Sequence, residues 1–202
     1  MPQRNLILIK HGDTVLVPEV TAERWHLSDL GRQQARQLAD YLRPLAPVAV
    51  VTSTEPKAAE TGAILAHALH VPSEVGYQLH EHDRSNVPLI DRAAFEQRMG
   101  DVFAHPDDNI YGLESAAESR ARFTTAIERV LREQPPGNVA VVAHGTVIAL
   151  FVALHNHLNG FDFWKRFGTP AYVVLSVPGF EIVSVMDHLP GATTDISAPA
   201  AE

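Results

Sequence analysis

The sequence predicts an α/β protein: a three-layer α/β/α sandwich whose central sheet is mostly parallel with an antiparallel edge. Three observations predict it. Leu6-Ile7-Leu8-Ile9 and Val139-Ala140-Val141-Val142-Ala143 are apolar with no polar alternation, as strands covered on both faces must be. Runs of this kind alternate along the chain with helical apolar spacing, which favours layered packing over segregated strands and helices. Ala171 to Val177 and Phe180 to Met186 flank Pro178-Gly179, the pattern of a hairpin at a sheet edge.

Arg32 to Leu42 reads as a helix with Ala35, Leu38, Ala39 and Leu42 on one face, stopped by Pro44. Val48 to Val51 is the next buried strand. Thr52-Ser53-Thr54-Glu55-Pro56 reads as a hydroxyl-rich cap with Pro in the first turn of a helix running to about Leu69, so Lys57 lies at a helix start. A short extended piece after Val71-Pro72 leads to Leu79-His80-Glu81-His82. Asp83 to Asn109 is weakly patterned, with one helix at Asp91 to Met99, and is expected to lie over the sheet as a small lid. Leu113 to Glu133 is a longer helix, broken by Pro135-Pro136-Gly137, and Thr146 to Leu158 is an apolar helix entered directly from His144-Gly145. The expected organisation is one domain over residues 1–189 with the lid at 83–109, followed by a disordered tail at 190–202.

Composition narrows the function classes. A chain of 202 residues is long enough for one domain with its own core. A net charge of -8 and a pI near 5.7 argue against a general binder of nucleic acid or anionic membranes, so an anionic ligand has to be held locally. With no Cys there is no disulfide, thiol nucleophile or thiolate metal site. Met1 to Asn5 leads into the first strand without a signal-peptide pattern, and no run reaches the ~20 apolar residues of a membrane helix. The expectation is a soluble, cytoplasmic protein.

Both buried runs end in a histidine followed by glycine, at His11-Gly12 and His144-Gly145, and open α/β sheets bind ligands at the carboxyl ends of their strands. Two imidazoles there suit attack on phosphorus: a neutral ring accepts the phosphoryl group and passes it to water, while a protonated one stabilises the transferring oxygens. Lys10 and Lys57 would add positive charge, and the amides opening the helix after Gly145 would donate to the same group. The leaving alkoxide needs a proton, for which Glu81 is the nearest candidate. Each feature also has a structural reading: a strand-end histidine is commonly just hydrogen bonded, a loop glutamate solvated, and a lysine superficial.

These residues also resemble a family, the histidine phosphatase superfamily of phosphoglycerate-mutase-like enzymes. Its opening arginine-histidine-glycine-x-threonine stands here as Lys10-His11-Gly12-Asp13-Thr14. Leu27-Ser28-Asp29-Leu30-Gly31-Arg32-Gln33-Gln34-Ala35 is similar to its next element, and Ser53 to Thr61 to the helix carrying its second arginine, here Lys57. Leu79-His80-Glu81 matches its acid, Gly112-Leu113-Glu114-Ser115 a stretched glycine-glutamate-serine helix start, and Val142-Ala143-His144-Gly145-Thr146 its second histidine. The resemblance implies a phosphoglycerate mutase-like fold and a phosphohistidine mechanism with no metal or other cofactor. His11 would be the nucleophile, His144 the transition-state support and Glu81 the proton donor, with Lys10, Thr14 and Lys57 around the phosphate. Lysine replaces both family arginines and Val17 the usual asparagine, which keeps charge but loses bidentate geometry.

The expected function is hydrolysis of a small phosphorylated metabolite. A weak or inactive phosphate-binding pseudoenzyme is the rival, because of the lysines and Val17. A phosphoglycerate-type mutase would need a strongly cationic lid, and the insertion offers only Arg84, Arg92 and Arg98 among several acids. Metal-dependent hydrolysis would draw on the eleven histidines, including His80-x-His82 and His155-x-His157, although the second pair lies in a helical stretch that separates its rings by about half a turn. Trp25, His26 and Arg84 are further loop candidates for the pocket, and the final hairpin could supply an edge for a homodimer.

Overall fold

The computed structural model describes residues 4–190; residues 191–202, most of the expected tail, lie outside that range. Six strands form one sheet in the order β3-β2-β4-β1-β5-β6. They are β1 (Arg4–Lys10), β2 (Pro47–Thr52), β3 (Ser73–Val75), β4 (Asn138–Ala143), β5 (Ala171–Val177) and β6 (Ile182–Met186). The first four in spatial order are parallel, and β5 and β6 close the other side antiparallel. The helices are α1 (Asp29–Leu42), α2 (Pro56–Leu69), α3 (Arg92–Ala104), α4 (Ala116–Glu133), α5 (Gly145–Asn156) and α6 (Gly160–Arg166). Fold class, strand positions and the edge hairpin agree with the sequence reading.

Pleating sorts the apolar runs between two cores. Leu6 and Leu8 of β1 join Val139 and Val141 of β4 under Phe123 and Ile127 of α4, Phe151 of α5 and Phe163 of α6. Ile7, Ile9, Ala140 and Val142 point the other way, against Leu38 and Leu42 of α1 and Leu65 of α2. Burial on both faces is why these strands carry no polar alternation. A third cluster holds Met99 and Val102 of α3 with Leu150 of α5, flanked by Phe95, Phe103, Phe161 and Trp164. The 83–109 insertion is thus anchored on α5 and α6.

Several boundaries move for capping reasons. α1 starts at Asp29 instead of Arg32, because the Ser28 hydroxyl accepts from Gly31 N. α4 starts at Ala116 instead of Leu113, set by a capping box between Ser115 and Glu118. α3 continues to Ala104, beyond the expected Met99, and α5 ends at Asn156 with His157 in the left-handed conformation. The hydroxyls before α2 do not cap it: Glu55 stands at the cap position without a side-chain cap bond. α6 was hidden in the sequence because seven residues are too few to show helical periodicity.

One contact sets the approach of α1 to the end of β1. A Cβ on Gly31 would lie 2.1 Å from Asp13 O, and one on Gly12 would lie 2.7 Å from Gly31 O. Backbone is pressed on backbone there, reinforced by Ser28 N donating to Asp13 O at 3.0 Å and Asp13 N to Gln34 Oε1 at 2.9 Å. Gly31→Ala is expected to destabilise the fold by about 1 to 3 kcal/mol, the range for overpacking a close contact. Urea unfolding checks this, and a midpoint unchanged from wild type would show that the contact is slack.

Candidate active site

The site lies where β1, β4 and β2 end side by side. In the β1–β4 register Lys10 faces Ala143, so His11 and His144 leave adjacent strands at the same level. His11 N donates to Ala143 O at 3.3 Å, and Ser53 N, just past β2, donates to Val142 O at 2.9 Å. The His11 and His144 rings meet edge-on with centroids 5.3 Å apart. The structure therefore brings together the two imidazoles that the sequence singled out.

Their hydrogen bonds assign their protons. His11 Nδ1 lies 2.8 Å from Gly12 O, and a carbonyl only accepts, so Nδ1 carries the hydrogen and Nε2 keeps the lone pair. Burial, followed by the neighbouring His144, Lys57 and Lys10, holds the His11 pKa well below the usual histidine value. The ring is neutral at neutral pH. His144 is fully buried, with Nε2 2.8 Å from Ser53 Oγ and 3.4 Å from Glu55 Oε1. Its Nδ1 is buried and has no partner among the described residues. Burial and then Lys57 depress its pKa as well, against an opposing pull from Glu81, so this ring too is neutral.

Glu81 is placed differently from expectation. Its carboxylate accepts from Thr146 N at 3.1 Å and Val147 N at 3.2 Å, two amides of the first turn of α5, and from His82 N at 2.9 Å. The amides expected to face a phosphate are thus already engaged. Burial alone would raise the Glu81 pKa, but Arg84, 3.8 Å away, together with His144 and the amide bonds, holds it far below the usual carboxylate range. Glu81 is a carboxylate here and has to take up a proton before it can donate one.

The cations are also committed. Lys10 Nζ donates to Phe167 O at 3.0 Å, and burial lowers its pKa to about 8, partly opposed by Glu81. Its stem rests against α5, where a Cβ at Gly145 would lie 3.2 Å from Lys10 Cε. Lys57 Nζ donates to Ala22 O at 2.7 Å and to Glu55 Oε2. Thr14 is held through its backbone, in an antiparallel bridge to Leu27. Trp25 Nε1 donates to Val17 O and Val20 O, pinning the loop after β1, while His26 is exposed.

Sequence reasoning missed Ser53, Glu55 and Arg122. The first two stood in a stretch read as a helix cap. Arg122 of α4 fans out to Gln78 O, His80 O and Glu81 O at 2.9 to 3.1 Å and pairs with Glu114 at 2.6 Å, so one guanidinium holds the segment carrying Glu81. Arg84 comes in from the insertion, with Nη1 3.3 Å from His82 Nδ1 and 3.4 Å from Thr146 Oγ1. His82 Nε2 in turn donates to Glu114 O at 2.8 Å, so neither ring nitrogen is left for a metal. Among the described residues, no group of three or more His, Asp or Glu is arranged to hold a metal ion, and no helix is long and apolar enough to cross a membrane.

Comparison with known proteins gives this arrangement its class. Residues 6–179 match the model of the histidine phosphatase superfamily (branch 1), and the chain belongs to that family. It is 27% identical over 139 residues to the uncharacterized phosphatase PhoE of Bacillus subtilis (strain 168), a match covering 67% of this chain and 66% of that protein. Among solved structures it superposes on mycobacterial glucosyl-3-phosphoglycerate phosphatase in complex with VO3, with a TM-score of 0.73 and 23% identity over 92% of this chain and 100% of that one. YhfR of Bacillus stearothermophilus gives a TM-score of 0.69 and 22% identity over 89% of this chain and 94% of its own. At these identities the two structures speak for a shared fold.

Removing the Arg122 fan should loosen the Glu81 segment and leave Glu114 without its cation. Arg122→Ala is expected to cost at least about 2 kcal/mol, the scale for losing charge-assisted bonds at a half-buried carboxylate. Denaturant unfolding, paired with amide exchange over residues 78–84, checks it. Unchanged protection of that segment would mean that other contacts hold it.

Proposed function

We propose that this protein is a phosphomonoesterase acting on a small phosphorylated metabolite through a phosphohistidine at His11. One observation carries the reading: two neutral imidazoles at adjacent strand ends, 5.3 Å apart, one of them tethered through Nδ1 so that Nε2 is its nucleophilic nitrogen. The lone pair of His11 Nε2 attacks phosphorus while the bond from phosphorus to the ester oxygen breaks. A monoester has its second pKa at about 6 and can arrive with one proton, which in this reading passes to Glu81 and from there to the departing alkoxide. Water then attacks phosphorus, the P–N bond breaks, Glu81 accepts the water's proton and inorganic phosphate leaves. Lys10, while protonated, supplies positive charge, and His144 supplies a hydrogen bond to the transferring oxygens.

A phosphate-binding protein without turnover is the second reading, favoured by the pairing of Lys57 with Glu55, which takes a cation away from the anion. Rapid-quench labelling separates the two. A phosphoryl group that appears on His11 and decays at the rate of phosphate release from a panel of sugar, nucleotide and acid phosphates is the expected result, with loss of both in His11→Ala. A stable, folded protein that never becomes labelled would leave the binding reading standing.

Lys10 gives the site a pH dependence of known sign. Its amine is charged below about 8 and neutral above, so the attraction for an anion weakens as pH rises through that value. Inorganic phosphate affinity, measured by calorimetry, is expected to fall across this interval in the wild type. It should stay nearly level in Lys10→Arg, whose guanidinium remains charged. An identical decline in both proteins would place Lys10 outside the anion site.

A further inference from the structure

Glu55 takes no part in the mechanism above, yet its carboxylate is 7% exposed and sits among the groups that do. It stands at the N-terminal cap position of α2 and caps nothing there. Instead it takes two donors and lies beside a buried imidazole. Oε1 accepts from Glu81 N at 2.7 Å and lies 3.4 Å from His144 Nε2, while Oε2 accepts from Lys57 Nζ. An ammonium and a backbone amide donating to one pair of oxygens, with an imidazole nitrogen 3.4 Å away, is the kind of polar surrounding that a bound phosphoryl group needs. The carboxylate is a smaller, singly charged occupant of the same donors.

The charges around the two rings are nearly balanced. From the end of β1 come Lys10 and the following His11; from the start of α2 come Glu55 and Lys57; from the segment after β3 come His80, Glu81 and Arg84. With the imidazoles neutral, three cations face two carboxylates, and a single net positive charge remains. A phosphate dianion already exceeds it. A substrate with a second acidic group close to the phosphate exceeds it further, at short range and with little screening.

We infer that Glu55 is a charge-selecting residue of this site: by occupying the donors of Lys57 and the Glu81 amide beside His144, it makes the pocket favour esters whose one anionic group is the phosphate over polyanionic esters. This rests on the phosphatase reading for its substrates, though not for its binding arm. Lys57 is restrained twice over, since Ala22 O holds it as well, and an anion has to displace Glu55 to reach it.

Glu55→Gln keeps the shape and removes the charge. Calorimetry with inorganic phosphate should show about tenfold tighter binding in the variant than in the wild type, the effect of one like charge withdrawn at a few ångströms in a partly screened site. The ratio of kcat/KM for a phosphorylated carboxylic acid to that for glycerol phosphate should rise by about as much. Weaker phosphate binding in a variant of normal Tm would overturn the proposal and show that Glu55 serves to orient His144 instead; an unchanged ester ratio would also overturn it. Should Glu55→Gln fail to fold, the wild type decides: a preference for glycerol phosphate supports the proposal, and equal use of both esters ends it. Tighter phosphate binding in a variant that, like the wild type, hydrolyses nothing would remove the phosphatase reading and leave the role of Glu55 intact.

Discussion

The parallel pairing of β1 with β4 is the constraint on which everything else in this molecule depends. Backbone hydrogen bonds fix their register along five residue pairs, from Leu6 with Val139 to Lys10 with Ala143. Because both strands run in one direction, both histidines emerge from the same edge of the sheet. A slip of one residue would turn each strand's apolar side chains from one core to the other, so burial on both faces locks the register that brings the histidines together. The loops beyond are then drawn in closely, with Gly12 against Gly31 and Gly145 under Lys10, where added side-chain atoms would have to push neighbours aside.

Around that pair, the site is an exercise in compensating buried charge. Neither carboxylate is isolated: Glu81 takes the opening amides of α5, and Glu55 takes Lys57 and an amide. Unpaired, each would cost several kcal/mol to bury, about what an ion loses on leaving water. Burial, helped by the neighbouring lysines, keeps both imidazoles neutral, and His144 Nδ1 is a buried polar atom without a partner among the described residues. The chain belongs to the histidine phosphatase superfamily, and the buried Glu55–Lys57 pair is part of the charge balance of its site.

Strands, the hairpin edge and the pair of histidines were readable from the chain because each is a local signal. Leu6 to Ile9 and Val139 to Ala143 advertise two-sided burial through composition, and a histidine-glycine step after such a run marks a strand end. Helix boundaries were less readable, since α1 and α4 start where a single hydroxyl happens to reach an amide, at Ser28 and Ser115. The partners of the charged groups were not readable at all. Arg122 meets the Glu81 segment across 41 residues, Ser53 meets His144 across 91, and Lys10 meets Phe167 across 157.

The sequence by itself determined the layered class, the two strand ends and the identity of the imidazoles, because hydrophobic periodicity and turn chemistry act between near neighbours. Only the tertiary structure decided which nitrogen of His11 holds the proton, that Glu81 is ionised and engaged with α5, and that Lys57 is claimed by Glu55. Those outcomes depend on distance and burial between groups far apart in the chain, and electrostatic interactions take their size from that surrounding rather than from sequence order.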